Sequence, residues 1–121
     1  MLLITPLSAN TLAKISSGIC DNLVSLVFRC WNMKLREKNT EQNNFKSNKL
    51  LNPIVVCPAM NTMMWEHPIT SEQLGKLKGW GVTIVDPVEK VLICGDQGKG
   101  AMAHLSTIVE TTISELKHLM P

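Results

Sequence analysis

The run Ile54-Val55-Val56-Cys57, closed by Pro58-Ala59-Met60-Asn61, constrains this chain more than any other stretch. Four apolar residues, three of them β-branched, read as a short buried strand. Pro58 cannot donate to a ladder and Asn61 is a favoured N-cap, so the strand stops where a helix begins. In an open α/β sheet, ligands gather at the carboxyl ends of strands. Asn61 would stand there as an uncharged donor and acceptor. The pattern leaves two uses open to it: reading a polar group of a ligand, or only capping a helix while Met60, Met63 and Met64 fill core.

The remaining chain alternates strand and helix. Leu2-Leu3-Ile4-Thr5 is a short apolar strand, with a turn over residues 6–10. Residues 12–31 have helical spacing, with Leu12, Ile15, Ile19, Leu23, Leu26, Val27 and Cys30 on one stripe; Gly18 predicts a break near residues 16–18. Thr70-Ser71-Glu72-Gln73 has the form of a capping box and predicts a helix starting at Thr70, ended by Gly79 and Gly81. Val82-Thr83-Ile84-Val85 reads as a third strand. After a Gly-rich loop, Ser106 is placed to cap a last helix whose apolar side is Ile108, Val109, Thr112, Ile113, Leu116 and Leu119. This alternation implies an α/β fold, Rossmann-like or flavodoxin-like, with a parallel sheet, flanking helices and right-handed crossovers.

At 121 residues the chain has room for one core, so residues 1–121 read as a single domain. No apolar run approaches the roughly 18 residues of a membrane helix. Met1-Leu2-Leu3-Ile4 is too soon interrupted by Pro6 to be a signal peptide. Cys20, Cys30, Cys57 and Cys94 lack CxxC spacing, which points to reduced thiols in the cytoplasm, without a disulfide framework or a metal. The apolar settings of Cys20, Cys30 and Cys57 predict small buried hydrophobes.

The formal net charge of +2 hides an asymmetry. Lys34, Arg36, Lys38, Lys46 and Lys49 outnumber Glu37 and Glu41, a local excess of +3, which leaves −1 for the other seven basic and eight acidic residues. Residues 33–52 are polar, rich in Asn and aperiodic, and so predict a solvated surface insert. Interleaved aromatics are missing there apart from Phe45, which argues against nucleic acid. Cys94 opens a stretch with three glycines in seven residues, the composition of a flap over a site. His67 has no evident orienting partner in the sequence and reads as a lone surface histidine; His104 and His118 receive no catalytic role.

Residues 58–65 resemble the PxMNxxMW signature of the homo-oligomeric flavin-containing cysteine decarboxylases. Pro6-Leu7-Ser8-Ala9-Asn10-Thr11 and Cys94-Gly95-Asp96-Gln97-Gly98-Lys99-Gly100-Ala101-Met102-Ala103 agree with it. Gly18-Ile19-Cys20-Asp21-Asn22-Leu23 is similar to the phosphopantothenoylcysteine decarboxylase branch in particular. The similarity covers nearly the whole chain outside residues 33–52. It implies FMN as cofactor, contacted by Ser8, Ala9, Asn10, Thr11 and Ala59. It further implies that Asn61 hydrogen-bonds the substrate carboxylate and that backbone at Val91 and Ile93 holds substrate. Cys94 would be the proton donor that completes reduction of an enethiol intermediate. The family usually carries a basic residue where this chain has Val91; Lys90 lies one place earlier.

The activity so implied is FMN-dependent decarboxylation of 4'-phosphopantothenoylcysteine to 4'-phosphopantetheine, in coenzyme A biosynthesis. Family members are trimers with active sites between protomers, so a homo- or hetero-trimer is expected. Their first half holds a Gly/Ser-rich loop for the FMN phosphate and a catalytic histidine. This chain starts at the strand before residues 8–11, so the expectation is a sheet truncated at its N-terminus and an activity incomplete alone, as a fragment or as a half-site subunit. A noncatalytic relative similar to those that inhibit a protein phosphatase is the alternative, weakened by the lack of an acidic tail. A relative that modifies peptide cysteines would not need Cys94 in this context.

Overall fold

The computed structural model describes residues 1–36, 49–91, 97–117 and 119–120. Strand β1 (Leu2–Leu7) leads into helix α1 (Ala9–Ser17), and α2 (Leu23–Arg29) follows. Then come β2 (Ile54–Pro58), α3 (Thr62–Glu66), α4 (Pro68–Gly79), β3 (Thr83–Ile84), β4 (Val88–Val91), β5 (Gln97–Ala101) and α5 (Leu105–Lys117). Strands β1, β2 and β3 form a parallel sheet in that order, with Leu2 beside Ile54 and Val56 beside Ile84. The α/β expectation therefore holds, with one addition: β4 and β5 form a separate antiparallel hairpin.

β2 is buried throughout because it is the middle strand and is covered on both faces. Ile54 and Val56 join Ile4, Leu7, Leu12, Ile15, Leu74 and Leu77 in the main core. Val55 and Cys57 point the other way and meet Val85, Ala103 and Ile108. Two-sided burial of this kind suits an unbroken β-branched run.

The stripe over residues 12–31 does not survive as one face. Gly18 adopts φ 80° at the end of α1, a left-handed conformation that suits glycine, and donates its N–H to the Lys14 carbonyl. A new helix then starts at Asn22, whose side chain accepts from Ser25 N while the Ser25 hydroxyl accepts from Asn22 N. The break resets the helical phase. Leu12 and Ile15 are buried, but in α2 the inward residues are Ser25 and Phe28. Leu23, Leu26 and Val27 face solvent, with Leu23 77% exposed.

Three further expectations are corrected. Helix α4 begins at Pro68, not Thr70: proline suits the first helical position, and His67 caps it by accepting Ile69 N–H at Nδ1, 3.2 Å away. Thr70 sits inside the helix, buried, its hydroxyl donating to the Met64 carbonyl. Helix α5 begins at Leu105, with the His104 carbonyl accepting from Ile108 N, so Ser106 lies within its first turn. Its buried residues are Ile108 and Glu115, whereas Val109 and Ile113 are exposed. Of the cysteines, Cys57 is buried while Cys20 and Cys30 are exposed, because both flank α2 on its solvent side.

The ends of the polar 33–52 stretch are also anchored more firmly than a solvated insert implies. Arg36 N donates to Lys49 O and Leu51 N to Lys34 O, and Leu50 is fully buried in the main core. Residues 37–48 of that stretch lie outside the described residues.

Candidate functional site

Two of the motifs come together because β1 and β2 are parallel neighbours. Their carboxyl ends lie side by side, and Ala59 N donates to Leu7 O at 2.9 Å. From the first end springs α1, capped by Ser8: its hydroxyl accepts from Thr11 N at 3.1 Å and donates to the Thr11 hydroxyl. From the second springs α3, capped by Asn61, whose Oδ1 accepts from Met64 N at 2.9 Å.

The β4–β5 hairpin is seated on this second turn. Met60 N donates to Gly100 O at 2.9 Å, and the Lys99 ammonium lies 5.8 Å from the centre of the Trp65 ring. Glycine is required at the seat. A Cβ on Gly98 would collide with the Thr62 side chain, and one on Gly100, at φ 147°, with the Met60 carbonyl oxygen. Gly98 and Gly100 thus serve close packing of a strand, β5, as well as backbone freedom.

Between α1 and the α3–α4 corner lies an open cleft of about 640 Å³, lined by Ala9, Ala13, Asn61, Met63, Met64, His67, Ile69, Thr70 and Gln73. Its floor is small and apolar on the α1 side and mixed on the other. Of the residues the sequence singled out, Ala9 and Asn61 line this cleft. Ser8, Asn10, Thr11 and Ala59 stand at the neighbouring strand ends. Val91 ends β4 opposite Gln97 and is 59% exposed. Ile93 and Cys94 lie outside the described residues.

Both uses left open for Asn61 meet here: it caps α3, and it also lines the cleft. Of the three methionines, Met60 packs against the main core as expected. Met63, 79% exposed, and Met64 line the cleft instead, because α3 is a single short turn with no buried residue. His67, for which the sequence offers no evident orienting partner, is oriented by the Ile69 N–H. The sequence did carry a signal: a polar residue immediately before proline at a helix start is an N-cap.

A second polar cluster lies away from the cleft. Glu115, its side chain 6% exposed, pairs with Lys49 and accepts the Thr83 hydroxyl at 3.0 Å, and Arg36 Nη2 approaches at 3.9 Å. Burial works to raise the Glu115 carboxyl; the Lys49 and Thr83 hydrogen bonds and the charges of Lys49 and Arg36 outweigh it and hold the group below its ordinary range.

Comparison with known proteins fits this geometry. The family model described as Flavoprotein matches residues 1–117. The phosphopantothenoylcysteine decarboxylase of Mus musculus is 48% identical over 109 residues, 90% of this chain and 45% of that protein. That of Arabidopsis thaliana is 42% identical over 111 residues, 92% and 45% respectively. Among solved structures, a PPC decarboxylase variant complexed with pantothenoylaminoethenethiol superposes with TM-score 0.78 at 40% identity, covering 96% of this chain and 54% of that one. The FMN binding protein AtHal3 gives 0.74 at 40% identity, covering 97% and 54%. The chain thus spans about half the length of the relatives it matches. Parallel strand ends carrying both motifs, a glycine-seated hairpin and a match over nearly every residue lead to one conclusion: the chain belongs to the Flavoprotein family.

Proposed function

We propose that this chain supplies part of an FMN-dependent active site that decarboxylates 4'-phosphopantothenoylcysteine to 4'-phosphopantetheine, the reaction for which its relatives are named. The observation that carries the reading is the Ala59–Leu7 hydrogen bond, which sets the two motif-bearing strand ends side by side next to the β4–β5 pair.

The residues at these strand ends suit a flavin. Ser8, Asn10 and Thr11 offer hydroxyl and amide groups, the first turn of α1 leaves backbone N–H groups without helical partners, and Ala9 and Ala13 leave room for a flat ring. FMN, when bound, supplies a reversible two-electron acceptor. In this reading Ser8, Ala9, Asn10, Thr11 and Ala59 hold the cofactor. Asn61 binds the substrate carboxylate, the backbone at Val91 and Ile93 steadies the substrate, and the Cys94 thiol delivers a proton to the enethiol carbon.

We further propose assembly as a trimer, of like or unlike subunits, in the cytoplasm. Leu23, Leu26 and Val27 form an exposed apolar stripe at helical spacing on α2, the kind of surface that subunit contacts cover. No helix among the described residues is long and apolar enough to cross a membrane.

The test is the visible absorbance of the purified chain, alone and coexpressed with a full-length family member. Flavin bands in the coexpressed complex, abolished with the decarboxylation of 4'-phosphopantothenoylcysteine when Ser8 and Asn10 are changed to bulky apolar residues, are expected. No flavin in either preparation, from chain that is folded by circular dichroism, would refute the reading.

A further inference from the structure

Two side chains of the cleft share one peculiarity. Each uses an acceptor on a helix start and keeps N–H donors free of that bond. Asn61 accepts Met64 N–H at Oδ1, which leaves its Nδ2 amide hydrogens; His67 accepts Ile69 N–H at Nδ1, which requires that ring nitrogen to be unprotonated and puts the proton on Nε2. The two caps are successive, on α3 and α4, and both residues line the same cleft. Among the described residues lining it there is no Asp or Glu. The polar corner therefore offers N–H donors and, among the described residues lining it, no competing carboxylate.

We propose that His67 is a ligand-binding residue whose Nε2–H donates, alongside the Asn61 amide, to an oxyanion held in the cleft between α1 and the α3–α4 corner. The inference deepens the proposed function and rests on its placing of substrate in this cleft. It adds His67 to the groups that recognise the acid end of the ligand. A neutral imidazole locked in one tautomer recognises an oxyanion by direction, without the desolvation cost of a buried charge. The capping bond holds the ring and so removes part of the ordering cost of binding.

The experiment separates the cap from the donor. Asp and Asn both cap helices well, so His67→Asp and His67→Asn keep α4 intact. His67→Asp replaces the donor with a second acceptor, whereas His67→Asn keeps an N–H. Binding of N-acetylcysteine, of N-acetylcysteamine (which lacks the carboxylate) and of inorganic phosphate is followed by ¹⁵N-detected NMR of the His67 ring and the Asn61 amide. Nε2 is expected to carry the proton. N-acetylcysteine or phosphate, but not N-acetylcysteamine, should shift both signals, and whichever does so identifies the oxyanion as carboxylate or phosphate. His67→Asp should weaken that probe at least about tenfold, and His67→Asn by less than about threefold.

A proton on Nδ1, or a His67→Asp variant that melts like wild type and holds the probes as tightly, overturns the proposal. So does failure of both oxyanions to move the His67 signal. Flavin absorbance is read separately. Oxyanion binding that depends on His67 in a preparation that never takes up flavin would remove the flavoenzyme reading and leave this inference standing. Flavin uptake with unchanged probe binding in His67→Asp would remove this inference alone.

Discussion

Single residues at the hairpin seat carry the tightest constraints. Gly100 has both a positive φ and a carbonyl oxygen where a Cβ would stand, while Gly98 faces only the Thr62 side chain, which has some freedom to turn. Gly100→Ala should therefore cost more than Gly98→Ala. Strain at such a backbone is worth about 1–3 kcal/mol by itself, and urea unfolding of the two variants would read the difference. Equal losses would mean that the seat is set elsewhere, for example by the Lys99–Trp65 contact. At this scale the sequence was legible where a residue type has one strong local habit. Asn61 caps a helix as its side chain favours, and Gly18 ends one. It was less legible at His67 and Thr70, where the proline between them decided the helix start and a serine-threonine pattern competed for it.

Between elements, the main surprise is a charged contact. The excess positive charge of the 33–52 stretch looked like a solvated face, yet its two ends meet at Glu115 on α5, beside Thr83 of β3. Periodicity could not reveal this, because Glu115 lies on what reads as a helix of mixed polarity and its partners are distant in sequence. Removing the carboxylate charge leaves Arg36 and Lys49 facing one another across a largely buried oxygen, so Glu115→Gln should lose about 2 kcal/mol of stability. The pH dependence has a definite sign. A carboxyl whose folded pKa is depressed contributes stability that is complete above its unfolded value, about 4.3, and is lost as pH falls through the folded value. Acid titration of unfolding free energy should thus fall more steeply below that value for the wild type than for Glu115→Gln. Superimposable curves would mean that the cluster is not formed in solution. Lys99→Met tests a weaker link of the same kind: about 0.5–1 kcal/mol, with faster amide exchange confined to β4 and β5.

For the whole molecule, the question is what covers its apolar surface. The parallel sheet was foreseeable because strands and helices alternate along the chain, and the core forms on the two faces of β2. The solvent face of α2 was not, because the sequence pattern counted Leu23, Leu26 and Val27 with the core stripe of α1, and only the break at Gly18 turns them outward. Hydrophobic residues at three- and four-residue spacing normally find a partner surface, and here none of the described elements supplies one. The proposed assembly would give this stripe its partner, through association at α2. The double change Leu23→Glu and Leu26→Glu places two like charges on that stripe while leaving Ser25 and Phe28, which hold the helix to the core, untouched. On the proposed assembly, sedimentation should give the mass of a single chain for this variant and a larger mass for the wild type at the same concentration, with unchanged far-ultraviolet dichroism. If the charged variant assembles as the wild type does, the subunit contact lies elsewhere and the stripe needs another occupant. If it unfolds instead, the milder pair Leu23→Gln and Leu26→Gln decides the matter, since it lowers apolar area without introducing repulsion.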